Sequence, residues 1–199
     1  MSAPKIFEII TPYYDFLTRF WLMGTYDCAR DMMLNEDTRD FTVLDLCCGT
    51  GYICNRINAK KIIGLDQSER MLAFNAGIKK KNKTLIKGDA YNPPFSTSVF
   101  DRIYCANAVH EFKNLSRVLA KCHQILNPDG KLILFDVHQS KNWFLSLITN
   151  TLIRYVREQG SMWVHTKEEW KKLLTETGFK IEELKTIRGF FIFIRAAKS

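Results

Sequence analysis

The chain has no C-x-x-C pair, no stretch of 18 uninterrupted apolar residues, no internal repeat and no low-complexity segment. The missing cysteine spacing argues against a structural zinc site. Without a long apolar run, no helix spans a membrane. Proline is scarce, at five in 199 residues, and the 46% hydrophobic and 25% charged fractions are ordinary for a globular protein. Disordered, collagen-like and coiled-coil classes are therefore excluded. A chain of this length has room for one fold and not for a cofactor domain beside a separate substrate domain.

The six cysteines (Cys28, Cys47, Cys48, Cys54, Cys105 and Cys122) lie mostly in apolar runs. There a reduced thiol behaves as a small hydrophobe, which implies a reducing compartment. Met1–Lys5 lacks the apolar core of a signal peptide, so the sequence reads as cytoplasmic. The formal net charge is +8, spread along the chain. Its densest run, Lys79-Lys80-Lys81-Asn82-Lys83, reads as the solvated end of a helix.

A strand-then-helix rhythm organises the rest. The apolar run Phe41–Cys48 ends at Gly49-Thr50-Gly51, as a buried parallel strand does before a helix, and the N-terminus of that helix would offer free N–H groups to a ligand. Lys61–Asp66, Thr84–Lys87, Asp101–Ala106 and Lys131–Val137 read as four further strands. Ser68 caps a helix carrying Met71, Leu72, Asn75 and Ile78. Leu115, Val118, Leu119, Cys122, Ile125 and Leu126 form one apolar helical stripe, closed by the turn Asn127-Pro128-Asp129-Gly130. Thr166 and Glu169 form a capping box for a last helix that ends at Gly178. Phe179–Ile187 and Phe190–Arg195 are joined too tightly to be anything but an antiparallel pair. The expected architecture is α/β, with helices around an open, mostly parallel sheet and a ligand at the carboxyl ends of its strands.

Those ends carry the chemistry. Gly49 and Gly51 permit a tight turn and close approach of a ligand. Asp66, 17 residues beyond Gly49, ends the second strand, where a carboxylate can accept two hydrogen bonds from a ribose diol. A nucleoside-containing cofactor follows. A dinucleotide is disfavoured, because Cys54 takes the third-glycine position and no hydride-transfer domain fits. Asp89 and Ala90 end the third strand, where side chain and backbone N–H could hold an adenine amino group. Asp45 could orient an ammonium group.

At this point VLDLCCGTG (43–51), GLDQSERML (64–72), GDA (88–90), PFSTSVFDRI (94–103) and ILNPDGKLIL (125–134) together resemble the class I S-adenosylmethionine-dependent methyltransferases. Within them, the similarity is to the ubiquinone/menaquinone-biosynthesis branch, and it runs from about residue 7 onward. The resemblance implies a doubly wound, Rossmann-like sheet of seven strands with an antiparallel C-terminal pair. It also implies S-adenosyl-L-methionine as cofactor, S-adenosyl-L-homocysteine as product, and direct SN2 methyl transfer. Gly49, Thr50 and Gly51 would line the methionine part, with Asp45 beneath. Asp66 would take the ribose hydroxyls, and Gln67 or Met71 would flank the adenine. Asp89 and Ala90 would read the adenine edge, and Cys105 and Ala106 would approach from the fourth strand. Cys47 stands where the family's loop has its first glycine, and Ala106 where the quinone enzymes often have serine. The segment before the last helix is shorter than in those enzymes.

Asn92-Pro93-Pro94-Phe95 matches the signature of amino-methyltransferases, but it precedes the fourth strand instead of ending it, so it reads as a proline-forced turn. Methyl transfer from a sulfonium needs alignment and desolvation, with a base only where the nucleophile must lose a proton. His110 and His138 are the candidate bases, each with the alternative of bonding a helix end or solvent. The chain divides into an N-terminal helical cap (1–40), a cofactor-binding core (41–137), a helical substrate lid (138–165) and the last helix with its strand pair (166–199). Aromatic and aliphatic residues crowd Ile6–Met23 and Asn142–Arg157, which read as core packing, as an apolar lid, or as a surface in peripheral contact with a membrane. A small-molecule or lipid-like acceptor fits. A nucleic-acid (RNA) acceptor would need a contiguous basic face, which the sequence lacks. A non-catalytic cofactor-binding protein is the other alternative.

Overall fold

The structure, a computed structural model, describes residues 25–138 and 163–199. The Ile6–Met23 and Asn142–Arg157 walls, and most of the 138–165 lid, lie outside the described residues. Helix α1 (Thr25–Leu34) leads into β1 (Thr38–Leu46) and β2 (Ala59–Asp66), then α2 (Glu69–Ala76) and β3 (Lys83–Lys87). Next come β4 (Phe100–Ala106), a 3-10 turn (Val109–Glu111), α3 (Leu115–Ile125) and β5 (Leu126–Val137). Helix α4 (Lys167–Glu176) precedes β6 (Phe179–Ile187) and β7 (Phe191–Lys198).

These form one seven-stranded sheet in the order β3-β2-β1-β4-β5-β7-β6. β1 to β5 pair in parallel, while β7 runs antiparallel to both β5 and β6. The expected doubly wound α/β sheet is therefore present. From β1 the chain first winds outward through β2 to β3, then returns to β4 on the other side. The switch point lies between β1 and β4, and it places a crevice at their carboxyl ends.

Both sheet faces are covered, which is why the central strands read as continuous apolar runs. Leu115, Val118, Leu119, Cys122 and Ile125 of α3 pack on one face with Trp170 and Leu174 of α4. Met33 of α1, Ile53, Ile57 and the half-buried Leu72 pack on the other, against Val43, Ile62, Tyr104, Ile133 and Phe193.

The capping box forms as expected: Thr166 Oγ1 accepts from Glu169 N at 3.3 Å, and Glu169 Oε2 accepts from Thr166 N at 2.7 Å. Thr166→Ala should cost about 1 kcal/mol. A thermal melt should register this as a fall of roughly 2–4 °C. An unchanged midpoint would mean the box contributes nothing to stability.

Four expectations change. No α-helix follows the glycine loop: residues 47–58 between β1 and β2 are a succession of turns, held by Asn55 N→Gly51 O (3.0 Å) and Ile57 N→Ile53 O (2.9 Å). Asn127–Gly130 does not separate α3 from β5. It is looped out of the strand, as the register jumps from Phe100↔Leu126 to Arg102↔Lys131. β1 starts at Thr38, earlier than expected, and β7 runs on to Lys198 because β5 supplies partners as far as Ala197 and β6 as far as Lys198.

The lysine run is only partly a solvated helix end. Lys80 Nζ donates to the carbonyls of Ile57 and Cys54, while Lys83 Nζ donates to Asn55 Oδ1, Asn75 Oδ1 and the carbonyls of Asn75 and Ile78. Desolvation lowers both ammonium pKa values. Lys80 closes two carbonyls of the 47–58 connection, and Lys83 closes two at and just beyond the end of α2.

Candidate active site

The tips of β1, β2 and β3 are bound to one another by backbone and carboxylate. Cys48 N donates to Leu65 O (3.0 Å) and Gly88 N to Asp66 O (2.9 Å). Asp66 Oδ2 accepts from Gly49 N at 2.8 Å, and its Oδ1 accepts from Ser68 N at 2.9 Å. One carboxylate thus joins the glycine loop to the start of α2. Desolvation raises its pKa against the opposing bonds from Ser68, Gly49 and Gln67. The carboxylate keeps acceptor capacity for a further donor.

The two glycines do different jobs. At Gly49 (φ +48°) an added Cβ would meet nothing within 4 Å, so the backbone borders open space beside Asp66. At Gly51 (φ +94°) it would lie 2.3 Å from Asn55 Nδ2 and 2.4 Å from Asn75 Oδ1. Asn75, fully buried on α2, donates to Gly49 O at 3.3 Å and accepts from Lys83. Gly51 lets the loop close down on that asparagine.

Around this cradle, Asp89 Oδ1 accepts from Tyr91 N (2.9 Å) and from Gln67 Nε2 (3.3 Å), bringing the ends of β2 and β3 together. Ala90, Met71 and Thr50 are buried alongside. Asp45 is buried beneath the loop, with Oδ2 accepting from Cys54 N at 2.9 Å. Desolvation, aided by Asp66 and opposed by the bonds from Cys54, pushes its pKa up to about 7. One Asp45 oxygen is therefore spent on holding the loop. Cys105 is buried in the cluster against which the half-buried Cys47 packs. Ala106 is half-buried at the tip of β4. All six cysteines are free thiols, and no cluster of metal-ligating side chains occurs among the described residues.

The two candidate histidines part company. His110 follows β4, and its Nδ1 lies 2.6 Å from Asp136 Oδ1 near the end of β5. Desolvation pulls the imidazole pKa down, but the charge and hydrogen bond of Asp136, with Glu111 adding, raise it overall. His138 is buried, its Nδ1 at 3.3 Å from His165 O, and desolvation lowers its pKa. Its ring braces the end of β5 to the chain entering α4. The Asn92–Phe95 segment is a loop before β4, with Phe95 N donating to Pro93 O.

Sequence reasoning missed Asp136, Asn75 and the inward lysines. An acid within the buried run Leu132–Val137, and an asparagine within the stripe of α2, were the available signals: a buried polar residue must have a partner.

A nucleoside cofactor fits these residues. Room stands open over Gly49, a carboxylate with spare lone pairs borders it, and a second carboxylate lies at the next strand tip. Residues 44–134 match the family described as a methyltransferase domain. The demethylmenaquinone methyltransferase of Thermotoga maritima is 33% identical over 141 residues, covering 68% of this chain and 61% of that protein. A 2-phytyl-1,4-naphtoquinone methyltransferase of Synechocystis is 30% identical over 155 residues, 71% of this chain and 64% of that protein. The chain thus spans less than two thirds of the length of these two relatives. A solved S-adenosylmethionine-dependent methyltransferase of Thermotoga maritima superposes with a TM-score of 0.74 at 19% identity, over 97% of this chain and 99% of that one. Motif, relatives and topology point the same way: residues 44–134 match a methyltransferase domain, the chain is similar to quinone methyltransferases, and it shares the fold of a solved S-adenosylmethionine-dependent methyltransferase.

Proposed function

We propose that this chain transfers a methyl group from S-adenosylmethionine to a small, lipid-like acceptor. The observation that carries the reading is the Gly49–Asp66 bond with open space above Gly49, at the switch point of the sheet. Asp66 accepts from the ribose hydroxyls with the lone pairs its backbone bonds leave free. Gly49, Thr50 and Gly51 border the methionine portion, Gln67 and Met71 flank the adenine, and Asp89 with Ala90 recognises its edge. Cys47, Cys105 and Ala106 wall the site from β1 and β4. Asp45 acts from below, by fixing the loop through Cys54. Bound there, the cofactor supplies a methyl group on a sulfonium sulfur whose positive charge disappears on transfer.

His110 serves as the base where the acceptor must lose a proton, its position at the tip of β4 bringing it to the crevice. His138 is the weaker candidate, since its Nδ1 is engaged by His165. His110→Ala should leave cofactor affinity within a few fold and lower turnover by ~10² or more. Unchanged turnover would remove His110 from the mechanism. The lid assigned to 138–165 and the N-terminal cap would shape the acceptor pocket.

The names of the relatives, which act on demethylmenaquinone and on a phytyl naphthoquinone, support a lipid-like acceptor. No helix among the described residues is long and apolar enough to cross a membrane. The test is a competition: pure protein with methyl-labelled S-adenosylmethionine is offered lipid, polar small-molecule and nucleic-acid extracts. Label should enter the lipid fraction. Label in nucleic acid alone would overturn the acceptor assignment.

A further inference from the structure

We infer that Asp136 is a positioning residue that sets the tautomer and basicity of His110, an inference that rests on the reading of His110 as the base. Asp136 ends the most buried stretch of β5 and is 1% exposed. A lone carboxylate in that place is costly unless its lone pairs are filled. They are filled, and mostly from one short segment. Oδ2 accepts from Val109 N at 2.6 Å and from His110 N at 3.3 Å, while Oδ1 accepts from Val137 N at 2.6 Å and meets His110 Nδ1 at 2.6 Å. Three of the four partners belong to the turn that carries His110. The carboxylate therefore fixes both the backbone of that turn and the ring upon it.

A carboxylate only accepts, so the ring nitrogen facing it must carry a proton. That assigns the proton of neutral His110 to Nδ1 and leaves Nε2 as the proton-accepting nitrogen. The buried negative charge also stabilises the imidazolium that forms once Nε2 takes a proton. Its neighbours are charged or titratable as well. Glu111 on the same turn adds to the upward pull on His110, and His165, before α4, is itself coupled to Asp136. The turn is braced further by Trp163 N, which donates to His110 O at 2.6 Å. A carboxylate present only to cap the turn would need its two backbone bonds to Val109 and His110. The Nδ1 contact is the additional feature.

The test is nitrogen-detected NMR of the imidazole rings in the full chain, with His110 identified by loss of its signals in His110→Gln. Wild-type His110 should be the Nδ1–H tautomer and titrate above an ordinary histidine. In Asp136→Asn the amide oxygen can still accept from Val109 N and His110 N, but the charge is gone and an NH2 replaces the oxygen that faced the ring. Desolvation then dominates, and the His110 pKa should drop below the ordinary value. Cofactor affinity by calorimetry should stay within a few fold. With a labelled acceptor in hand, the pH at which turnover rises should move down with the NMR value, and the plateau should fall by roughly tenfold or more. An Nε2–H tautomer in the wild type, or a His110 pKa that does not move in a folded Asp136→Asn, would overturn the inference. The wild-type tautomer decides the matter even if the variant fails to fold. An Asp136-dependent His110 whose removal leaves turnover unchanged would instead sink only the base assignment.

Discussion

Asp66→Ala should abolish detectable S-adenosylmethionine binding in a calorimetric titration. The carboxylate is asked to do two things at once. It would accept from the ribose hydroxyls, and it already accepts from Gly49 N and Ser68 N, tying the glycine loop to α2. Losing hydrogen bonds to a charged acceptor costs about 1.5–3 kcal/mol each. Two such bonds to the ribose amount to roughly 10²- to 10⁴-fold in affinity. Release of Gly49 N adds to this, because the loop is no longer held in its binding shape. Asp66→Asn is the informative companion: it retains the shape and one acceptor, so its loss should be smaller. Wild-type affinity in Asp66→Ala would show that the cofactor does not lie at this strand tip.

Gly51→Ala should be the most destabilising small substitution in the loop. A Cβ there would lie 2.3–2.4 Å from the side chains of Asn55 and Asn75, and the φ of +94° is one that L residues rarely adopt. Neither asparagine can swing aside cheaply. Asn75 is fully buried, and Lys83 Nζ holds the Oδ1 atoms of both. Strain at such a φ costs about 1–3 kcal/mol, and overpacking a similar amount. The sum is about 2–6 kcal/mol, which a thermal melt should show as a fall on the order of 10 °C. Gly49→Ala makes the contrast. Its Cβ meets nothing, so it should cost about 1–2 kcal/mol of backbone strain while blocking the space above the loop. Equal melting points for wild type and Gly51→Ala would refute the packing account.

Much of the fold was legible because it is written in local patterns. The stripe of α3 and the capping box of α4 have a helical period that needs no knowledge of partners. The buried runs of β1, β2, β4 and β5 announce a sheet covered on both faces. The pairing of Gly49 with Asp66 was legible too, since adjacent parallel strands joined by a short connection must bring their tips together. The turns after Gly51 were not legible. Whether a chain of that length coils into a helix depends on carbonyl partners supplied from elsewhere, here Lys80 at Cys54 and Ile57, while Lys83 turns onto Asn55 Oδ1 and the carbonyl of Asn75. Those lysines read as solvated because a sequence shows a charge but not the direction in which it points.

The sequence by itself determined the α/β class, the succession of strands along the chain and the acids at the strand tips, because each rests on periodicity or on spacing within one strand-turn unit. Tertiary structure alone decided what those groups do to one another. It buried Asp45 beneath the loop, turned His138 onto the His165 carbonyl, and brought Asp136 to His110 across 26 residues of chain. Such pairings arise when β4 and β5 settle side by side in register. The energy that selects that register is the burial of both sheet faces, a property of the packed molecule that no local segment carries.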